Sequence, residues 1–344
     1  MNINLLKDDE LAHLRSLIAS TEKVAIVCHK NADGDALGSS LGWAEYLRQQ
    51  GKEAQLIVPD MYPDYLQWLP GLQQSIRYDK KIDKAKEVLK EADMICYMDL
   101  NTISRTGDEM QKELEGFEGK TVLIDHHESP EIKGDVMISF PKMSSTSEMV
   151  FRLIWQLGGF DEMTKNMAID IYCGMMTDTG GFTYNSSKPE IFFIISQLLT
   201  KEIDKDKIYR NIYHVYTLNR MRLCSYVIYQ KLKLLTPQRA AYFTISKEDM
   251  KRFDFKKGDT EGLVNKPLQI KDIRLSISLR EDTEKANLIW VSLRSVDNFP
   301  CDEMAARFFN GGGHKNAAGG KLECTLAKAE ETVKTAVREY KNYL

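Results

Sequence analysis

Disulfide scaffolding is missing from this chain: its six cysteines, at positions 28, 96, 173, 224, 301 and 324, are scattered and form no Cys-x-x-Cys pair. Several sit inside apolar runs, which fits reduced core thiols in a reducing compartment. No stretch of about 18 apolar residues occurs, so no membrane span is expected. The opening Met1-Asn-Ile-Asn-Leu-Leu-Lys-Asp-Asp-Glu10 lacks the basic start and apolar core of a signal peptide, and a cytoplasmic location is expected. An excess of one charge is absent too. The 47 Lys and Arg stand against 50 Asp and Glu, a formal net charge of −3. Such a chain has no broad basic field for long duplex nucleic acid, while a short anion held in a local site is compatible with it. Internal repeats and low-complexity stretches are absent as well.

What is present is an ordinary globular composition, 43% hydrophobic and 28% charged over 344 residues, a length that favours two domains. Within it, four apolar segments each end in potential metal ligands. Thr121 to Ile124 runs into Asp125-His126-His127. Val24 to Cys28 runs into His29-Lys-Asn-Ala-Asp33-Gly-Asp35. Met94 to Met98 runs into Asp99, and Ile169 to Met176 into Thr177-Asp178-Thr-Gly-Gly181. Strands that end in carboxylates and imidazoles deliver them to the sheet edge where open α/β folds bind ligands.

Apolar residues at three- and four-residue spacing predict helices over 8–20, 35–50, 83–91, 106–115, 144–158 and 164–176, with strands between several of them. That alternation indicates a parallel sheet. The expected organisation is an α/β chain with a parallel-sheet domain over 1–200, a helical linker over 201–236, and a smaller α/β domain over 237–344. In the last of these, Ala241 to Ser246, Ile273 to Arg280 and Leu288 to Arg294 alternate as half-buried strands do. A Gly-rich loop, Asn310-Gly-Gly-Gly-His314-Lys-Asn-Ala-Ala-Gly-Gly320, follows a short helix.

Four aspartates (Asp33, Asp35, Asp99, Asp178) and two histidines (His29, His126) suit two divalent ions, and the mix of carboxylate and imidazole without cysteine favours Mn²⁺ or a similar transition ion over structural zinc. Gly34 is expected to let the chain turn tightly, so that Asp33 and Asp35 serve different ions; an aspartate here also suits helix capping, and Asp35 can do both. Two ions about 3.5–4 Å apart can activate a shared water and clamp the oxygens of an in-line displacement at phosphorus. Four carboxylates cancel two divalent ions, so an anionic phosphate needs further donors. His127, Arg105, Arg294 and the Gly-rich loop with His314 and Lys315 are the available suppliers, the loop because glycine N–H groups approach a phosphate unobstructed. Phe182 is either a base-stacking platform or a core residue, and His13 and His214 read as structural.

These residues resemble the DHH phosphoesterases, and within them the nanoRNase/pAp-phosphatase (NrnA-like) group related to RecJ exonuclease. The likeness rests on ordered motifs spanning nearly the whole chain: His29-x-x-x-Asp33-Gly-Asp35-Ala-Leu-Gly-Ser39, Asp99, Asp125-His126-His127, Ser145-Thr146 with Glu148, and Thr177-Asp178-Thr-Gly-Gly-Phe182. Glu261-Gly-Leu-Val-Asn265, Ser292-Leu-Arg294-Ser295 and Gly311-Gly312-Gly313-His314-x-x-Ala-Ala-Gly319 resemble the DHH-associated C-terminal domain. Ala32 stands where the family usually has proline, and Asn310 replaces the first of four family glycines. The resemblance implies that His29, Asp33 and Asp99 hold one Mn²⁺ and that Asp35, Asp99, His126 and Asp178 hold the other, with Asp99 bridging. It makes Asp125 an orienting residue and places His127 near the scissile phosphate. Arg105, Arg294, Ser295, Gly311, Gly312, Gly313, His314 and Lys315 then bind substrate. The implied reaction is hydrolysis of short oligoribonucleotides or linear dinucleotides (pApA, pGpG) to mononucleotides, with pAp a further substrate and a homodimer the expected assembly. A manganese inorganic pyrophosphatase and a non-catalytic nucleotide-binding regulator are the rival readings.

Overall fold

Three of the four apolar runs become neighbouring strands of one sheet, and the fourth becomes a helix. The computed structural model describes residues 2–344, which divide into two compact units, 2–215 and 216–344. The division falls inside the segment read as a single helical linker, which comprises two separate helices, a π-helical turn and a short strand.

In the first unit, strands β1 (Lys23–Val27), β2 (Glu53–Val58), β3 (Ile76–Arg77), β4 (Met94–Met98), β5 (Lys120–Asp125) and β6 (Val136–Ser139) pair in the order β3-β2-β1-β4-β5-β6, every pair parallel. Parallel strands are covered on both faces, which is why their sequences read as near-continuous apolar runs. Alternate residues serve two cores: Val24, Ile26, Cys96 and Ile124 face one cluster, and Ala25, Val27, Tyr97 and Leu123 the other. The first cluster packs under helices α1 (Asp8–Ala19) and α2 (Gly34–Gln49), the second under α3 (Ile82–Glu91) and α4 (Asp108–Glu115). After β1 the chain proceeds outward to β2 and β3, then returns to place β4 on the other side of β1. The order therefore reverses between β1 and β4, the place where doubly wound sheets open a crevice at their carboxyl ends.

Helices α5 (Thr146–Gln156), α6 (Lys165–Asp178), α7 (Pro189–Leu199) and α8 (Lys205–Tyr213) complete the unit. α2 and α6 approach through glycines. A Cβ on Gly38 would lie 2.4 Å from the Asp170 carbonyl oxygen of α6, and Gly174 brings α6 against α5, where a Cβ would lie 1.9 Å from Ser147 Oγ. Gly34 serves the approach of α2 to α6, since a Cβ there would meet Thr177 Oγ1 at 2.3 Å. Its backbone is helical, so close packing rather than a tight turn accounts for the glycine, a correction to the expectation from sequence.

The second unit contains α9 (Leu218–Tyr226), β7 (Lys233–Leu235), β8 (Ala240–Ile245), α10 (Lys247–Arg252), β9 (Leu275–Glu281), β10 (Leu288–Ser295), α11 (Cys301–Phe308), β11 (Gly312–His314), β12 (Ala317–Glu323) and α12 (Leu326–Glu339). Its sheet is mixed, ordered β11-β12-β10-β9-β8-β7, with only β8 and β9 parallel. α11 and α12 cover one face through Leu275, Ile277, Ile289 and Leu293. β8 is buried along its whole length rather than half-buried, because Phe243 and Ile245 face a second cluster with Leu223 and Val264. The Gly-rich stretch is not a loop: β11 and β12 pair as a hairpin, Gly312 opposite Gly319 and Gly313 opposite Ala318.

Candidate metal centre

The strand ends at the reversal point bring the acidic clusters together. His29 follows β1 and Asp99 follows β4, and His29 Nε2 lies 3.4 Å from Asp99 Oδ2. Asp99 takes a left-handed backbone with φ of +54°, unusual for a residue with a side chain and common where a site dictates conformation. β5 supplies Asp125 and His126, the start of α2 supplies Asp33 and Asp35, and the end of α6 supplies Asp178. His126 Nε2 stands 3.6 Å from Asp99 Oδ1, 3.5 Å from Asp178 Oδ2 and 3.9 Å from Asp35 Oδ2, while His29 Nε2 stands 3.9 Å from Asp33 Oδ2. The six expected metal ligands thus fall into two adjacent groups, His29, Asp33 and Asp99, and Asp35, His126 and Asp178, and a third group of Asp99, His126 and His127 links them, with His127 Nδ1 3.4 Å from Asp99 Oδ1.

These separations exceed hydrogen-bond lengths and suit two ligands that share one ion with bonds of about 2.1 Å. The electrostatics make the same case. Burial raises the Asp35 carboxyl to about 7, with the charge of Asp99 adding to it. Asp178 is pushed well above the usual range by desolvation and by Asp35. Burial by itself would lower His29 and His126, but Asp99 and its neighbouring carboxylates outweigh it and raise both imidazoles to about 9. Burial would raise Asp99 as well, yet His29, His127 and His126 hold it well below the usual carboxylate range. A buried cluster with this surplus of negative charge is costly unless a cation neutralises it, so the residues fit a bound divalent metal.

Other groups fix these ligands. The imidazole Nδ1 atoms of His29 and His126 face the carbonyl oxygens of Lys30 at 2.9 Å and Met143 at 3.3 Å, which leaves both Nε2 atoms toward the carboxylates. The helix cap falls on Asp33, whose Oδ1 accepts the N–H groups of Asp35 and Ala36, each at 3.0 Å. Asp35 instead accepts the first two N–H groups of α5, from Thr146 at 2.7 Å and Ser147 at 2.8 Å. A helix N-terminus offers unpaired N–H donors and positive potential, so it stabilises this carboxylate. Thr146 also donates its hydroxyl to Asp99 Oδ1 at 2.9 Å. The sequence pattern alone assigns Thr146 and Ser147 no role, although Ser145 with Glu148 marks a helix start. Asp125 is fully buried, and its Oδ1 lies 2.7 Å from His127 Nδ1.

The remaining expected residues are placed as follows. Arg105 sits just past β4, donates to Asn101 Oδ1 at 3.4 Å, and its charge reaches His29. Phe182 packs edge-on against Tyr172 at 5.5 Å as a partner of the core, and His13 is exposed on α1 rather than structural. In the second unit, Arg294 lies on β10, opposite Ala317. Ser295 is buried, donates to the Phe299 carbonyl oxygen at 3.3 Å and accepts from Asn316 at 2.9 Å. Lys315 Nζ donates to Asn298 at 3.0 Å. Gly311 donates its N–H to the Ala305 carbonyl at 3.2 Å, so that donor is committed within the fold. The hairpin needs its glycines: a Cβ on Gly311 would lie 1.9 Å from the Gly319 carbonyl oxygen. No residue of the metal cluster lies in this unit.

A parallel sheet with an acid- and imidazole-rich centre at its reversal point, followed by a mixed-sheet domain, defines a known class. The chain belongs to the DHH family: the family's N-terminal domain matches residues 23–175, and the DHHA1 domain matches residues 238–343. It is similar to the bifunctional oligoribonuclease and PAP phosphatase NrnA of Thermus thermophilus, 28% identical over 92% of this chain and 89% of that protein. It is also similar to a crystal structure of an exopolyphosphatase-related protein from Bacteroides fragilis, 45% identical with a TM-score of 0.94 over 98% of each chain. RecJ of Thermus thermophilus in complex with Mn²⁺ shares the fold alone, with a TM-score of 0.55 and 13% identity over all of this chain and 56% of that one.

Proposed function

We propose that this chain hydrolyses short oligoribonucleotides and linear dinucleotides such as pApA and pGpG to mononucleotides, and pAp to AMP, with two Mn²⁺ as cofactor. The observation that carries the reading is the position of Asp99, whose two carboxylate oxygens face His29 on one side and His126 on the other. His29, Asp33 and Asp99 would hold one ion, and Asp35, Asp99, His126 and Asp178 the other. When bound, such a pair of ions polarises the phosphate and acidifies a water.

The chain's own groups do the rest. With its Nδ1–H held by Asp125, His127 would act as the imidazolium, giving its Nε2 proton to the leaving oxygen and ending as the neutral ring, and the Asp125 carboxylate would stabilise that cation before the transfer. Arg105 adds positive charge beside His29. Arg294, His314 and Lys315, with the exposed Gly312 and its glycine neighbours, would grip the substrate's other phosphate. The substrate class is supported by the printed activities of the NrnA relatives, which span nearly all of this chain.

The deciding experiment is Mn²⁺-dependent hydrolysis of pApA, pAp, pyrophosphate and polyphosphate at matched concentration, with products separated by ion exchange. AMP from pApA at the highest rate is the expected result, and turnover of pyrophosphate or polyphosphate alone overturns it.

A further inference from the structure

The C-terminal sheet carries a partly exposed aromatic residue, Trp290, between two cations on its outer face. On β10, Ile289, Val291 and Leu293 turn into the core, and Trp290, Ser292 and Arg294 turn to the opposite face. Trp290 is 41% exposed as a residue, and its indole edge is held because Nε1 donates to Asp282 Oδ2 at 2.7 Å. Its cross-strand partners are both cations: Arg280 on β9 and Lys321 on β12 stand directly opposite it. The next row on the same face is Ser278, Ser292 and Gly319, small residues that leave the surface recessed. The resulting open groove of about 630 Å³ runs from Arg280 and Trp290 to Gly312 and Lys321. A second cavity of about 270 Å³ continues it and shares Arg280, Trp290 and Ser292.

Neither Arg280 nor Lys321 makes an ion pair among the described residues. Arg280 is half-buried, lies over the Phe255 ring at 5.4 Å, and is held below its ordinary pKa by desolvation. The nearby carboxylate of Asp282 acts on Arg280 by its charge, but its oxygens already accept from Trp290 Nε1 and the N–H groups of Glu284 and Lys285. A half-buried guanidinium in no ion pair, a fixed indole face and a second cation are the elements of a site for a stacked base between phosphates. We infer that this face of β9, β10 and β12 is a subsite for single-stranded RNA, in which one base stacks on Trp290 and the flanking phosphates meet Arg280 and Lys321. The chain's slight negative net charge confines such binding to a short local strand.

The inference rests on the proposed reading as an oligoribonuclease and adds a nucleotide position on the DHHA1 domain. Its test uses the full chain as wild type, Trp290→Ala and Lys321→Glu. Each is assayed on pApA and on a 5′-phosphorylated penta-adenylate, and binding of a fluorescein-labelled penta-adenylate is measured in EDTA. For both variants, pApA turnover stays within about twofold of wild type, whereas KM for the pentamer and its dissociation constant rise roughly tenfold, the scale of one lost stacking or phosphate contact. Equal losses on both substrates, or an unchanged pentamer, overturn the subsite. A wild type that binds the pentamer through these two residues yet cleaves neither substrate supports the subsite and overturns the proposed reaction instead.

Discussion

The buried carboxylate of Asp125 grips His127 twice, through Oδ1 to the ring Nδ1 at 2.7 Å and through Oδ2 to the main-chain N–H at 3.1 Å. Ring orientation is therefore set by a residue that never reaches the surface. Replacing Asp125 by Asn weakens the charge opposite Nδ1 with little change in shape. Turnover of pApA is expected to fall roughly 10–100-fold, the scale seen for orienting partners. Metal content measured by atomic emission should stay at the wild-type level; loss of metal instead would make Asp125 part of the ligand set.

Asp99→Ala removes the carboxylate whose two oxygens face His29 and His126, the one proposed to bridge the two ions. Turnover is expected to vanish, and a variant that keeps more than roughly a tenth of wild-type activity refutes the bridging role.

The Thr146 hydroxyl donates to Asp99 Oδ1 at 2.9 Å. Hydrogen bonds to charged groups contribute about 1.5–3 kcal/mol, so Thr146→Val should weaken Mn²⁺ binding or turnover by roughly tenfold or more. Thr146→Ser keeps the hydroxyl and should restore most of that loss, whereas equal behaviour of the two variants would assign the effect to packing.

Protons and metal compete at this centre. His29 and His126 are raised to about 9 and Asp35 to about 7, all above their unfolded values. Groups with raised folded pKa values stabilise the metal-free fold at low pH and lose that contribution as pH rises through the folded pKa. Metal-free protein should accordingly lose melting temperature from roughly pH 4 through pH 9 at these groups, Asp35 first and the histidines last. Mn²⁺ affinity should rise over the same interval as ligand protons are displaced. Calorimetry in EDTA and in Mn²⁺ checks both, and a metal-free protein that gains stability between pH 7 and 9 would contradict the charge balance described.

Gly174→Ala places a methyl group 1.9 Å from Ser147 Oγ and 3.1 Å from Asp35 Oδ1. Overpacking of this kind costs about 1–3 kcal/mol. A lowered urea midpoint together with weakened Mn²⁺ binding is expected, because the strain falls between α6 and the N-terminus of α5 that holds Asp35. An unchanged midpoint would show that the helices part freely.

The sequence by itself determined which carboxylates and imidazoles are the candidate ligands and most of the local elements that carry them. Apolar runs long enough for a strand, each broken by Asp or His, needed no tertiary knowledge, and neither did the periodicity of α2 or α5. The short strands β3 and β6 are not legible in the sequence, since a two-residue or four-residue strand at a sheet edge carries too little pattern. Tertiary structure alone decided which ends meet. Strand order comes from non-local pairing, so nothing local says that β4 returns beside β1 and sets Asp99 against His29. The roles of Thr146 and Ser147 depend on α5 aiming its free N–H groups at Asp35, an orientation fixed by packing. Gly34 and Gly174 are explained by distances between helices, which a one-dimensional pattern does not contain. The pairing of β11 with β12 and the row of Arg280, Trp290 and Lys321 were likewise settled by register, the property that places residues far apart in sequence on one face of a sheet.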